Sequence, residues 1–190
     1  MRVLGIAGSP RQGGNTDTLL DEVLRGAASR GAEAETLNIR QMSIAPCRHC
    51  DACFEAGECI FKDDMQIVYR ELAAADCIVL ASPLHFMGVT AQLKAAIDRC
   101  QALWARKYIL KIPPLVDWRH RKGLFVSAGG RQGDDIFRAA ETTVKALFYS
   151  LDIEYAGKVA FPSMEGRDSA AANPDALMQA YLAGQELAED

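Results

Sequence analysis

Several features that would mark a specialised class of protein are missing from this sequence. No apolar run reaches the roughly 18 residues that a membrane-spanning helix requires, so we expect no membrane partner. Positive charge is not in excess either, because 21 Lys and Arg stand against 25 Asp and Glu and give a net charge of −4. A net negative charge disfavours binding to the phosphates of nucleic acids, so we expect no nucleic-acid partner.

No charged stretch with an apolar leader precedes the β-rich residues 2–7, which indicates a cytoplasmic protein. Repeats and low-complexity tracts are also absent, and 190 residues is the length of one domain spanning residues 1–190. In a reducing compartment, six cysteines argue against a disulfide framework and for a metal-binding or redox role. No Ser-His-Asp set or pair of carboxylates in a matching context supports hydrolysis.

Hydrophobic periodicity predicts five short strands that alternate with five helices. This order implies right-handed crossovers and a doubly wound α/β fold, with a five-stranded parallel sheet and helices on both faces. Such sheets bind ligands beyond the carboxyl ends of their strands, so the loops 8–16, 83–88 and 128–133 are expected to converge. Strands are predicted at 2–7, 34–39, 77–82, 124–127 and 153–161, and helices from near 15, 63, 89, 136 and 174, the third continuing to 104.

The first of these loops, residues 8–16, has the composition of a phosphate-binding turn. Its backbone N–H groups and the positive end of the following helix would both face an anion. The Walker pattern and G-x-G-x-x-G are absent, which argues against a triphosphate or the usual dinucleotide mode. Short donors and one guanidinium instead suit a single phosphomonoester, and they are Ser9, Arg11, Asn15 and Thr16. The alternative is a plain Gly-rich turn ahead of a helix.

Three segments together carry a family resemblance: Gly8-Ser-Pro-Arg-x-x-Gly-Asn-Thr16, Ser82-Pro-Leu-His-Phe-Met-Gly88 and Gln92-Leu-Lys-Ala-Ala-Ile-Asp-Arg99. Over residues 1 to about 160 the chain resembles the flavodoxin-like NADPH-dependent FMN reductases. The resemblance implies a flavodoxin-like fold with FMN as cofactor, its phosphate held by Ser9, Arg11, Asn15 and Thr16. It also implies two loops along the isoalloxazine ring, made of Pro83, Leu84, His85, Phe86, Met87 and Gly88, and of Ala128, Gly129, Gly130 and Gly133.

Position 85 departs from the pattern of that family, which commonly has Tyr there. Either His85 stacks on the flavin instead, or Phe86 takes over the contact. A histidine near the ring could also titrate near neutral pH and bias the protonation of the flavin, whereas a lone loop histidine is more often solvated. His85 is therefore the one catalytic candidate beside the flavin itself.

Four cysteines stand within thirteen residues in a cysteine-rich loop at 46–60, as Cys47-x2-Cys50-x2-Cys53-x5-Cys59. The spacing resembles the bacterial ferredoxin pattern, with a longer last gap and Ile60 in place of Pro, and zinc usually takes pairs that lie further apart. On a flavodoxin-like chain the run resembles that of the iron–sulfur flavoproteins, which implies a 4Fe-4S cluster. Free thiols, another metal or a disulfide are the alternatives. Cys77 and Cys100 lie on apolar faces and are interpreted as packing residues.

The resemblance implies an FMN-dependent oxidoreductase that takes electrons from NAD(P)H and passes them to a small-molecule or protein acceptor. The alternative is a non-enzymatic electron carrier that docks to a ferredoxin-like protein. A basic segment at 104–123 is predicted to attract a nicotinamide phosphate or an acidic redox partner, or else to be solvated or to contact another subunit. We expect a homodimer or homotetramer, because reductases of this kind need a neighbour to wall the flavin cleft.

Overall fold

The computed structural model describes residues 1–189 and contains a five-stranded parallel sheet. The strand order β2-β1-β3-β4-β5 reverses beside β1, which is the flavodoxin-like topology and confirms the predicted fold class. Parallel pairing is continuous from β2 to β5, with one register shift at Gly123/Leu124. The strands are β1 Arg2–Ala7, β2 Glu33–Asn38, β3 Cys77–Pro83, β4 Arg121–Ala128 and β5 Ile153–Phe161.

Helices cover both faces of the sheet because alternate strand residues point to opposite sides. Val3 and Val79 pack under α1 and α7, whereas Leu4, Ile78 and Phe125 pack under α3, α4 and α6. None of the helices within residues 1–189 is long and apolar enough to cross a membrane. The helices are α1 Asn15–Ser29, α2 Cys53–Ala56, α3 Met65–Ala74, α4 Ala91–Arg99, α5 Gln101–Tyr108, α6 Arg138–Ser150 and α7 Pro174–Leu187.

Two glycines allow the backbones of α1 and α7 to touch. A Cβ added at Gly26 would lie 2.0 Å from the carbonyl oxygen of Tyr181, and one added at Gly184 would lie 1.9 Å from that of Val23. Both distances are far below van der Waals contact, so only glycine permits this approach. The pair anchors the C-terminal helix on the face of the sheet that carries α1.

The helix predicted from 89 to 104 is in fact two helices, which meet at Cys100. Cys100 has ψ 0°, far from the helical value, and it ends α4 and precedes α5. The carbonyl oxygen of Arg99 accepts a 2.6 Å hydrogen bond from the Tyr69 hydroxyl, so a side chain satisfies this helix end. The break turns α5 toward α2 and the cysteine loop.

Most cations of the basic segment at 104–123 are bonded within the fold, so little of its charge remains for the phosphate or acidic partner considered from the sequence. Arg106 donates to the carbonyl oxygen of Pro113, Lys107 pairs with Asp152, and Arg119 pairs with Asp76 and Asp117. Arg121 is buried, where it donates to the carbonyl oxygens of Ala73 and Ala75 and pairs with Asp117. These charges fasten the connection between α5 and β4 to the fold.

Candidate functional site

A cleft of about 490 Å³ opens at the carboxyl ends of the strands, within the size range of small-molecule sites. All three loops that were expected to converge contribute to it. It is lined by Ser9, Pro10, Arg11, Gly14, Asn15, Thr16, Pro83, Leu84, His85, Ala128, Gly129, Gly130, Met164 and Glu165. Four residues that we expected there do not line it, namely Phe86, Met87, Gly88 and Gly133.

The β1–α1 loop presents unused hydrogen-bonding groups to this cleft. The Ser9 hydroxyl is buried. It donates to the carbonyl oxygen of Arg11 at 3.0 Å and accepts the Arg11 N–H at 3.1 Å. No side chain within residues 1–189 caps the start of α1. The Thr16 hydroxyl is buried and has no partner in that same described part of the chain. A buried orphan hydroxyl at an uncapped helix N-terminus is suited to an anionic oxygen.

An ion pair under the loop neutralises the carboxylate in the first turn of α1. Asp17 is buried in the first turn of α1, and one of its oxygens accepts a 2.9 Å bond from the Gly13 N–H. Arg40 pairs with this carboxylate at 3.0 Å and also donates to the carbonyl oxygen of Ser9 at 3.3 Å. The carboxylate is thereby compensated, so it does not repel an anion bound at the loop.

Buried hydroxyls lock the first loop to the second. Thr90 donates to the carbonyl oxygen of Gly8 at 2.6 Å, and its own N–H donates to the Ser82 hydroxyl at 3.0 Å. The same Thr90 oxygen caps α4 by accepting the Leu93 N–H at 3.3 Å. A Cβ on Gly8 would lie 2.8 Å from the carbonyl oxygen of Ala81, so the loop leaves β1 in close contact with β3. Thr90 was not predicted as a site residue, because the helix was expected to begin near 89, one residue before this Thr, although Thr is a favoured capping residue.

Asn15 holds a fourth segment over the cleft. Its amide nitrogen donates to the carbonyl oxygens of Met164 and Gly166 at 3.2 and 2.7 Å, and its amide oxygen accepts the Ala170 N–H at 3.0 Å. Met164 and Glu165 line the cleft as a result. This segment was not predicted to reach the cleft, because no local signal marks a contact across about 150 residues of chain. Asn15 thus lines the cleft while its side chain is committed to the 164–170 segment.

The second loop ends in a tight turn that carries Phe86 and Met87 away from the cleft. The N–H groups of His85 and Gly88 each donate to the other's carbonyl oxygen, at 2.9 and 3.0 Å. Phe86 and Met87 both have left-handed backbones, with φ of 50° and 64°, at a cost of about 1–3 kcal/mol each. Phe86 is fully exposed, and the exposed ring of His85 lies at the cleft rim. Gly133 is the last residue of the third loop, in an exposed bend with φ 89°.

The four clustered cysteines all line one recess, which they share with Phe61 and Arg99. All four are free thiols, as are the buried Cys77 and Cys100. Within residues 1–189 no group of three or more His, Cys, Asp and Glu side chains is placed to hold a single metal ion. The recess that the thiols line has a free volume of about 30 Å³.

The backbone of the cysteine loop is bent around Cys50. His49 and Asp51, on either side of it, have left-handed backbones with φ of 51° and 58°. The His49 N–H donates to the Cys47 sulfur at 3.4 Å. Bends of this kind form concave sets of N–H groups that bind anions, iron–sulfur centres among them. Burial is the main cause that raises the pKa of the Cys53 thiol, and the neighbouring thiols add to it.

Comparisons with known proteins bear on both the cleft and the cysteines. Residues 1–165 match the model of the family described as NADPH-dependent FMN reductase. An iron-sulfur flavoprotein of Archaeoglobus fulgidus is 40% identical over 128 residues, which is 67% of this chain and 62% of that protein. The iron-sulfur flavoprotein of Methanosarcina thermophila is 36% identical over 130 residues, 68% of this chain and 64% of that protein. The match therefore spans less than two thirds of the length of these relatives.

Solved structures support the fold. The NAD(P)H:quinone oxidoreductase from Methanothermobacter marburgensis superposes with a TM-score of 0.75 at 18% identity, covering 100% of this chain and 97% of that one. An FMN-dependent NADH-azoreductase from Bacillus anthracis, solved in complex with FMN, superposes with a TM-score of 0.69 at 16% identity, covering 100% of both chains. At such low identity the likeness concerns the architecture alone.

Proposed function

Because this chain belongs to the NADPH-dependent FMN reductase family and is close to the iron-sulfur flavoproteins, we propose that it is an FMN-dependent oxidoreductase whose FMN occupies the cleft described above. We propose NAD(P)H as the donor and a small molecule or a redox protein as the acceptor. The observation that carries the proposal is the buried, unpartnered Thr16 hydroxyl at the uncapped start of α1. It is the kind of group that a phosphate oxygen satisfies.

The residues at the start of α1 would bind the phosphate of FMN. The Thr16 hydroxyl and the N–H groups of the β1–α1 loop would hold the phosphate, and the exposed Arg11 guanidinium would close over it. The Asp17–Arg40 pair keeps the loop free of uncompensated negative charge. FMN, when bound, would accept a hydride from a nicotinamide and release electrons singly or in pairs.

The two other loops would orient the flavin ring. Leu84 and Gly129 are in contact range, because a Cβ added at Gly129 would lie 3.1 Å from a Leu84 methyl group. Small residues at 128–130 let the backbone come close to a flat ring, and His85 stands at the rim. Holding the ring in one orientation is the protein's main contribution to such chemistry, since it sets the approach of donor and acceptor.

We propose further that Cys47, Cys50, Cys53 and Cys59 are the ligands of a 4Fe-4S cluster. Four sulfur donors in one recess and left-handed residues on both sides of Cys50 support this assignment. Proteins named iron-sulfur flavoprotein are 33–42% identical to this chain, which supports it as well. The exposure of Cys50 at the surface also favours the second candidate function, an electron carrier that docks to a ferredoxin-like partner.

A second copy of the chain is the neighbour that we propose for the exposed apolar residues of the second loop and of the connection between α5 and β4. Phe86 is fully exposed in the second loop, and Val116 and Trp118 in the connection expose 71% and 63% of their surface. Aromatic side chains are enriched in the buried centre of subunit interfaces, which is where Phe86 and Trp118 would lie in such an assembly. Light scattering should return a multiple of 20.7 kDa, whereas a monomer mass would contradict this part of the proposal.

One preparation tests the main assignments. The chain is purified without air, supplied with FMN, iron and sulfide, and examined by visible spectroscopy and by iron and sulfide assay. We expect a flavin spectrum and about four iron atoms per chain. Fast bleaching of the flavin by NADPH supports the reductase, whereas slow bleaching by nicotinamides with fast reduction by reduced ferredoxin supports the carrier. A protein that is colourless after unbound FMN has been removed contradicts both functions.

A further inference from the structure

The structure carries one further assignment, which rests on the cluster proposed above. We propose that Arg99 is a positioning residue for that cluster: it fixes both ends of the cysteine loop and donates its free Nε–H to a sulfur of the loaded centre. Arg99 is the last residue of α4 and lies far from all four cysteines in the sequence. None of its contacts was expected from the sequence.

The guanidinium group of Arg99 joins the two ends of the loop. Its Nη1 donates to the carbonyl oxygen of Ala45 at 2.9 Å, and its Nη2 donates to that of Phe61 at 3.4 Å. Ala45 stands two residues before Cys47, and Phe61 stands two residues after Cys59. One side chain therefore sets the distance between the backbone segments that carry the two outer cysteines.

Asp63 completes this clamp. Its two oxygens accept bonds from the Arg99 guanidinium at 2.7 and 3.1 Å, and they also accept the N–H groups of Ala45 and Met65 at 3.0 and 3.2 Å. Burial raises the pKa of Asp63, but these hydrogen bonds outweigh that effect and hold the pKa below its usual value. The carboxylate stays ionised, and Arg99 stays charged beside it.

One donor of Arg99 is left over. The residue is 1% exposed, and its Nε–H finds no acceptor in the part of the chain that the structure describes. A buried donor without a partner is rare, because each one forfeits the hydrogen bond that it made with water. Arg99 lines the same recess as the four thiols. An acceptor bound in this recess is therefore the partner that we assign to the Nε–H.

Sulfur is the acceptor that the composition of the recess favours. The residues around it include four cysteines, and thiolates that ligate iron carry negative charge. Hydrogen bonds to the sulfurs of an iron–sulfur centre favour its reduced state, since that state has the greater negative charge. Arg99 is thus expected to affect two measurable properties, the retention of iron through the clamp and the reduction equilibrium through the Nε–H.

The test compares Arg99→Gln, Arg99→Lys and the control Lys94→Gln in the full chain loaded with FMN and cluster. Lys94 lies on the same helix, exposed and paired with Asp98. For Arg99→Gln we expect iron to pass to a chelator at least tenfold faster than from wild type. We also expect the ratio of reduced to oxidised cluster at a fixed dye potential to fall about tenfold, equivalent to about 59 mV for one electron. Lys94→Gln should match wild type in both measurements.

Arg99→Lys separates the clamp from the charge. A lysine retains a positive charge but lacks the fork that reaches Ala45, Asp63 and Phe61 together. It should recover part of the reduction ratio while iron loss stays fast. FMN binding and circular dichroism check that each variant is folded, and if Arg99→Gln does not fold, the lysine variant decides by the same two readings.

Failure of the cluster assignment and failure of the Arg99 assignment give different results. Wild type without iron after reconstitution would end the cluster assignment, and this inference with it. Wild type with a full cluster, combined with wild-type iron retention and reduction ratio in the folded Arg99 variants, would overturn only the role of Arg99.

Discussion

Replacing Thr16 by Val should affect the empty and the FMN-bound protein in opposite directions. In the empty protein the Thr16 hydroxyl is buried without a partner within residues 1–189. An orphan of this kind costs about 1–3 kcal/mol, and valine replaces it by a methyl group of similar size and similar helix propensity. Because the cost of the orphan is removed, we expect the free energy of unfolding of the empty variant to rise by about 1 kcal/mol.

With FMN bound, the same change removes a hydrogen bond to a charged phosphate oxygen. Such bonds contribute about 1.5–3 kcal/mol, so the dissociation constant for FMN should rise about 10- to 150-fold. Ligand binding stabilises the native state according to its affinity, so at one FMN concentration the variant gains less stability than wild type. The order of stability of the two proteins should therefore reverse between empty and FMN-loaded samples.

Urea unfolding of both proteins, without FMN and at an FMN concentration well above the wild-type dissociation constant, measures this reversal. Thr142→Val is the matched control, because the Thr142 hydroxyl is exposed on α6 and bonds the carbonyl oxygen of Arg138. The control should shift both samples by the same small amount. A Thr16→Val protein that keeps the same rank in both samples and binds FMN as wild type does would refute the assignment of this hydroxyl to the phosphate.

Two further predictions concern stability. Gly184→Ala should lower the free energy of unfolding in urea by about 2 kcal/mol or more, since the new Cβ would lie 1.9 Å from the carbonyl oxygen of Val23. The control Gln179→Ala, at an exposed position of the same helix, should change it little. Burial alone would raise the pKa of Glu141, but bonds from Lys145, Lys158 and Tyr155 lower it to about 2. The stability that Glu141 contributes is therefore complete above pH 4.5 and is lost as the pH falls from 4.5 toward 2. Urea unfolding should give Glu141→Gln a lower free energy of unfolding than wild type at pH 7, and the difference should shrink as the pH falls toward 2. A difference that stays constant with pH would contradict the assignment.

The order of strands and helices could be predicted from the sequence because it depends on local periodicity. β3 begins with the apolar run 77–81. Asn173 precedes Pro174 at the start of α7, and its side chain accepts the Ala176 N–H, as expected for a capping Asn. The break at Cys100 could not be predicted in this way. It depends on Arg99 and Tyr69, which meet only after folding, and the residues around Cys100 have the spacing of an unbroken helix.

The candidate site was predictable where its groups lie next to each other in the sequence. The β1–α1 loop and the cysteine spacing are local patterns, and the structure brings Ser9 and Thr16 into one cleft and the four cysteines into one recess. Contacts between distant residues had no such signal. Asn15 is bonded to residues about 150 positions away. The charge count of residues 104–123 also could not show that Asp76 and Asp152 would pair with the cations there.

The most direct test of the central claim compares the affinities of the chain for FMN and for riboflavin, which has the same ring and lacks the phosphate. Equilibrium titration followed by flavin fluorescence gives both dissociation constants under the same conditions. If the loop at the start of α1 holds the phosphate, FMN should bind at least 100-fold more tightly, the equivalent of about 2.7 kcal/mol. Equal dissociation constants for the two flavins would show that the loop contributes nothing to binding and would contradict the account.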